Sequence, residues 1–325
     1  MKLLRHVLTA ASLAATCFIS TAVAEQAYPS RPVTLVVPFT PGGATDTVAR
    51  IAADGLSQRL GQTVIVVNKP GAGGAIGIGF VAKAPADGYT LALGSIGPMA
   101  INPSLYANLP YNTRRDFAPI IKLADTPLVL VTRPDKGPST VDELLAAIRA
   151  KPNALNYGSA GVGNITHLAA AYFLNRSDAS ATHVPYQGSA PAIQDFLGGQ
   201  LDFMFDPLPS ATPYVQSRRY KALAVTSAKR SSVLPDVPSL QELGYGPFDI
   251  RSWFGIFAPA GTPEAIVVKL NHGLNAIFAE PAVKDKLKQL GYDSEPNTSD
   301  AFDSFVKEEI ERWHVIVDQV GAKAD

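Results

Sequence analysis

Three segments place glycines, hydroxyls and amides where an apolar run gives way to a helical pattern. They are FTPGGATD (39–46), YGSAGVGNITH (157–167) and PYQGSAP (185–191). Glycine lets backbone approach a ligand closely, and Thr45, Ser189 or a neighbouring Asn or Thr is a candidate helix cap. Free amides at a helix start, together with the positive end of the helix dipole, make an anion site. Each such charge interaction contributes on the order of 0.3–1 kcal/mol. None of the three segments contains Lys or Arg, which a phosphate or polyanion normally recruits. A small carboxylate fits better than a nucleotide. Phe39, Pro41, Gly42, Gly43, Thr45 and Asp46 in the first turn are candidate ligand residues. Ser159, Gly161, Asn164, Thr166 and His167 in the second, and Tyr186 and Gly188 in the third, join them.

Other residue types suggest different chemistry. Ser159, His167 and either Asp46 or Asp206 can be written as a hydrolase triad, although a triad is recognised by geometry and not by order. The GSAG sequence around Ser159 misses the nucleophile elbow because Tyr157 stands where its first glycine belongs. GAGGAIGIG (71–79) lacks the glycine spacing of a dinucleotide fingerprint at Ile76 and follows Lys69-Pro70, so it reads as a structural loop entering a glycine-rich helix. His167, His183, His272 and His314 are scattered without metal-ligand spacing, and no metal or cofactor is expected. Asp206, in the apolar run FMFDP, suits either a ligand ammonium or hydroxyl or the cap of the next helix. Trp253 suits either the core or a ligand-stacking wall, and Arg251 is a basic side chain that can reach a cleft from elsewhere.

The elements that must hold these residues alternate. VTLVVPF (33–39) reads as a strand, 45–60 as a helix with Val48, Ile51, Ala52, Leu56 and Leu60 on one face, and VIVV (64–67) as the next strand. Strands are expected at 90–93, 128–132, 181–186 and 222–226, and helices at 141–150, 165–174, 191–197, 263–278 and 301–320. This alternation predicts an α/β protein with mainly parallel central sheets. Stretches near 122–127 and 227–238 read as crossings between two domains. A first domain of 25–124 with 231–325 then holds an inserted second domain of 125–230.

Length and composition agree. A chain of 325 residues exceeds what one core usually serves. Its 28 basic and 28 acidic side chains balance, which argues against nucleic acid. Lys2, Arg5 and His6, the uncharged stretch 7–24 and the Ala22-Val23-Ala24 triplet form a secretory signal, cleaved after Ala24. The single cysteine, Cys17, lies within that signal and is a poor match for lipid attachment, so the mature chain has no thiol chemistry.

The segments YPSRPVTLVVPFTPGGATDTVAR, NKPGAGGAIG, ADGYTLALGS, NYGSAGVGNITHLAA, VPYQGSAPAIQDFLGGQLDFMFD, LPDVPSLQELGY and WFGIFAPAGTP run in one order along the chain. Together they resemble the Bug family of extracytoplasmic solute-binding proteins, receptors of tripartite tricarboxylate transporters. The resemblance implies a two-domain periplasmic binding protein, type II-like and hinged around a cleft, monomeric, which delivers a small carboxylate to membrane permease subunits. It implies that Pro41-Gly42-Gly43 and 159–166 clasp a ligand carboxylate through backbone amides and water. Tyr186, Gly188 and Asp206 then face the ligand's far end, and Ser95 lines the same cleft. Asn164-Ile165 departs from the small residues many relatives carry there, which bears on ligand choice among di- and tricarboxylates, acidic amino acids and aromatic acids. The alternatives are an exported hydrolase using Ser159 and His167, or a receptor feeding a membrane sensor.

Overall fold

The computed structural model describes residues 28–323, and the segment 1–24 expected to be a secretory signal lies outside them. Strand β1 (Val33–Val37) is β-branched and buried almost throughout, and leads through the first glycine turn into helix α1 (Ala44–Leu60). Gly61, at φ 65°, ends α1 in the left-handed conformation that glycine adopts without steric cost. Strand β2 (Val64–Asn68), helix α2 (Ala75–Ala82) and strand β3 (Thr90–Ser95) follow. Strand β4 spans Phe117–Thr132 and is followed by helix α3 (Val141–Ala150). Thr140 caps α3 by accepting the Glu143 amide, while Glu143 Oε2 accepts from the Ser139 amide, a reciprocal lock on the first turn.

The next part of the chain runs β5 (Asn156–Ser159), α4 (Ile165–Arg176), β6 (Thr182–Pro185), α5 (Ser189–Leu197), β7 (Phe203–Pro207), α6 (Leu208–Gln216) and β8 (Lys221–Val225). It ends with β9 (Arg251–Pro259), α7 (Glu264–Phe278), α8 (Pro281–Gln289) and α9 (Ser299–Val320). The strands join in the order β2-β1-β3-β9-β4-β7-β5-β6, with β8 also paired to β4. Pairs β1–β2, β1–β3, β5–β6 and β5–β7 are parallel, as strand-helix alternation demands. Every pair made by β4 or β9 is antiparallel, so the parallel portions flank an antiparallel centre.

Lys122–Pro127, read above as a crossing between domains, forms the middle of β4. That strand pairs with β9 from Phe117 to Pro127, with β7 from Leu128 to Thr132 and with β8 from Val129 to Thr132, with register shifts against β9 near Ile121 and Ala124. Its last residues alternate between two cores, as side chains of a strand must. Leu128 and Leu130 join one cluster with Phe205, Trp253 and Trp313, whereas Val129 and Val131 join another with Phe196, Met204 and Tyr220.

Candidate functional site

The first turn leaves β1 and enters α1 with Gly43 as the N-cap, and no side chain caps the helix. Thr45 lies inside the first turn of α1 and does not cap. Among the described residues the Ala44 and Thr45 amides have no hydrogen-bond acceptor. Asp46 holds the turn from behind. Its Oδ2 accepts from the Gly42 amide (3.0 Å) and Arg50 Nε (2.8 Å), and its Oδ1 accepts from Asn68 Nδ2 (2.9 Å). The same Asn68 amide also donates to the Phe39 carbonyl at 3.0 Å. Burial alone would raise the Asp46 pKa, but the hydrogen bonds from Arg50, Asn68 and the Gly42 amide outweigh it and hold the carboxylate below its ordinary value. Arg50, one turn further along α1, is thereby paired with Asp46.

The third turn has the same open character. Gly188, at φ 124°, is the N-cap of α5 with no side-chain cap, and Ser189 starts the helix without capping it. The Ser189 and Ala190 amides have no acceptor among the described residues, and Pro191 has no N–H to offer. A Cβ built on Gly188 would lie 4.0 Å from Thr40 Oγ1, so the first and third turns face each other across a narrow gap.

The second turn is closed on itself. Asn164 caps α4 by accepting the Thr166 amide at 3.0 Å, and Thr166 Oγ1 accepts the Ala160 amide at 2.9 Å. The Gly161 amide donates to Ser159 Oγ, the Gly163 amide to His167 Nδ1, and the Asn164 amide to the Gly161 carbonyl. Ser159 is fully buried and shares a 2.6 Å hydrogen bond with His183 Nε2. The His167 and His183 rings stack 4.0 Å apart beside Tyr157. Burial lowers the His167 pKa to about 4, and burial with the neighbouring ring lowers that of His183 to about 3, so both are neutral at pH 7.

The imagined triad is therefore not assembled. Ser159 meets His183 and not His167, Asp46 is tied to Arg50, and Asp206 is tied to Ser210.

A cleft of about 520 Å³ opens between these turns. Of the predicted residues, Phe39, Pro41, Gly42, Gly43, Thr45, Ser95, Asn164, Thr166 and Gly188 line it. Asp46, Ser159, Gly161, His167, Tyr186 and Asp206 do not. The Tyr186 hydroxyl donates to Asp195 Oδ2 at 2.7 Å; burial, then that carboxylate, pushes its pKa up to about 12. Asp206 is fully buried at the end of β7, and its Oδ1 accepts from Ser210 Oγ at 2.7 Å.

Several lining residues carried no signal in the sequence: Ile96, Ile193, Ser210, Ser252, Phe254, Leu290 and Tyr292. Strand parity explains one pair. Trp253 faces the core, where its indole N–H donates to buried Glu309 at 3.0 Å, so its neighbour Phe254 faces the cleft. Phe254 packs edge-on to Tyr292, with ring centroids 5.9 Å apart, forming an aromatic wall. The Tyr292 hydroxyl donates to the Ala44 carbonyl at 3.2 Å, which braces the first turn. Among the described residues the cleft lining has no Lys, Arg, His, Asp or Glu.

A second cavity of about 440 Å³ holds the charged residues instead, including Lys229, Arg251, Lys288 and Asp293. Arg251 is neutralised there by Asp125, at 2.5 Å, and by Asp293, and contributes nothing to the cleft. No group of three or more His, Cys, Asp or Glu able to hold a metal occurs among the described residues.

The chain matches the family model described as tripartite tricarboxylate transporter family receptor over residues 48–322. It is 39% identical over 310 residues to protein BugT of Bordetella pertussis, covering 95% of each chain. Two solved structures from Rhodopseudomonas palustris share the fold. Rpa4515 with adipate is 36% identical with a TM-score of 0.87, over 91% of this chain and 100% of that one. MatC with bound malate is 34% identical with a TM-score of 0.84, over 89% and 100%. The mixed α/β sheet is thus that of a two-domain periplasmic binding protein, and the family is one of solute receptors and not of enzymes. The chain belongs to the tripartite tricarboxylate transporter receptor family.

Proposed function

We propose that the protein is a periplasmic receptor that captures a small carboxylate in the 520 Å³ cleft and presents it to the permease subunits of a tripartite transporter. One observation carries this reading: two helices, α1 and α5, start at the cleft without a side-chain cap, in a lining free of charged side chains. A bound carboxylate is the cap those amides lack, and the dipoles of two helix starts favour its charge. Hydroxyls of Thr45, Ser95, Thr166 and Ser189 surround the same space, and Ile96, Ile193, Phe254 and Tyr292 pack the ligand body. Rpa4515 and MatC, with adipate and malate, support aliphatic dicarboxylates as the first class to try.

In this reading the signal is removed after Ala24 and the mature chain acts as a monomer. Residues 25–124 with 231–325 form one lobe and residues 125–230 the other. The first turn belongs to one lobe and the third to the other, so a ligand touching both binds the closed form better and shifts the population toward it. Among the described residues no helix is long and apolar enough to cross a membrane, which accords with a receptor that works beside a separate permease.

A thermal-shift panel of mono-, di-, tri- and aromatic carboxylates on refolded mature protein tests the proposal. A carboxylate at one hundred times its Kd stabilises the fold by about 2.7 kcal/mol. One chemical series standing out is expected, and a flat panel overturns the carboxylate reading.

A further inference from the structure

Asp206 is placed in a way that the capture of an anion does not by itself explain. It is the penultimate residue of β7, on the face of Met204 and opposite Phe203 and Phe205, and is completely buried. Its Oδ1 accepts from Ser210 Oγ, whose residue lines the cleft, and its Oδ2 has no hydrogen-bond partner among the described residues. The next residue, Pro207, also lines the cleft. The elements packed on this face are apolar apart from Ser210: Val129 and Val131 from β4, Ala192, Ile193 and Phe196 from α5, and Leu208 and Ala211 from α6.

The titratable groups nearby are few. The Tyr220 hydroxyl is buried and unpartnered, Tyr214 stacks on Tyr220, and Arg219 lies over the Tyr214 ring. Asp195 on α5 is held by Tyr186. No base pairs with Asp206 among the described residues. A carboxylate with a bare oxygen in such surroundings is disfavoured relative to the neutral acid. Burial, partly offset by the Ser210 hydrogen bond, pushes its pKa up to about 7.

We infer that anion capture in the cleft is coupled to protonation of Asp206, one proton from solvent settling on its carboxylate as a ligand carboxylate arrives on the other side of Ser210. The inference rests on the carboxylate reading above. A second negative charge next to an ionised Asp206 costs free energy that protonation removes, so ligand and proton bind with positive linkage. The Asp206 carboxylate gains an O–H bond, the buffer acid loses one and leaves as its conjugate base, and no other covalent bond changes. His167 and His183, with pKa values near 4 and 3, do not titrate in the same range.

Calorimetric titration of adipate, and of the most stabilising carboxylate of the panel, between pH 6 and 9 in buffers of different ionisation enthalpy tests this on the wild-type chain. The expected result is proton uptake above pH 7 and a Kd that weakens by up to about tenfold per pH unit. In Asp206→Asn, which keeps shape and removes the charge, the pH dependence and the uptake vanish while the Kd stays within about threefold of the wild-type value at pH 6. A flat wild-type profile without uptake overturns the inference and leaves the receptor reading standing. Affinity that weakens toward acid also overturns it. Failure of every carboxylate at every pH removes the receptor reading and this inference together.

Discussion

The turns that open α1 and α4 look alike in composition and behave differently. Both are rich in glycine, both follow a strand, and both start a helix at the cleft. In the α4 turn the polar side chains already satisfy the backbone: Asn164 caps the helix, Thr166 accepts the Ala160 amide, and Ser159 and His167 accept the glycine amides. In the α1 turn the polar side chain, Asp46, reaches backward to the Gly42 amide, and the first amides of the helix stay open. The difference teaches that like compositions leave unlike backbones. A helix start that caps itself has spent its amides, whereas one held from behind and left uncapped has them free for an anion.

The largest expected effect follows from capping α1. Gly43 has extended backbone angles and open space around a built Cβ, so Gly43→Asp is tolerated by the fold. Its carboxylate occupies the place proposed for the ligand. Carboxylate affinity should fall by roughly a hundredfold or more, while stability rises by a few tenths of a kcal/mol. Titration calorimetry and thermal melts on the same preparation check the two opposite signs.

Next comes Asp46→Ala, which frees the Gly42 amide, Arg50 and Asn68 together. Loss of that bracing should weaken binding by about tenfold and stability by about 1–3 kcal/mol, read by the same two methods. The matching change in the self-capped turn, Asn164→Ala, should cost about 1 kcal/mol of stability and change affinity by less than about threefold. Equal losses of affinity in the Asp46 and Asn164 variants would erase the distinction between the turns.

A graded effect on stability comes last. His167 and His183 have folded pKa values lowered from 6.5, so the unfolded chain binds protons that the folded chain resists. Their stabilising effect is complete above pH 6.5 and declines as the pH falls toward 4, visible as a steady drop in Tm. His183→Gln should flatten that drop, and an unchanged slope would remove the stacked pair from the account.

Much of the cleft was legible because its residues are special ones. Glycine at a strand-to-helix junction lets backbone approach a neighbour closely, and Phe39 to Thr45 and Gly188 line the cleft. Which turns are open was not legible, because Thr45, Ser189 and Asn164 are all good capping residues and only Asn164 caps. Strand β4 was read short because Pro119, Lys122, Asp125 and Pro127 interrupt its apolar pattern. Its pairing along β9 tolerates them through two register shifts. Phe254 and Tyr292 are brought together across the sequence by tertiary structure alone. The burial of Asp206 likewise depends on α5 and α6 packing over it, which no local pattern encodes.

The most direct test is an amide proton–nitrogen correlation spectrum of deuterated protein titrated with the most stabilising carboxylate. The account predicts downfield proton shifts at Ala44 and Thr45, and at Ser189 and Ala190, as new hydrogen bonds form there. The Thr166 amide, already bonded to Asn164, should stay near its starting position. Saturable binding that leaves Ala44 and Thr45 unmoved would contradict an anchor made of open main-chain amides at the start of α1.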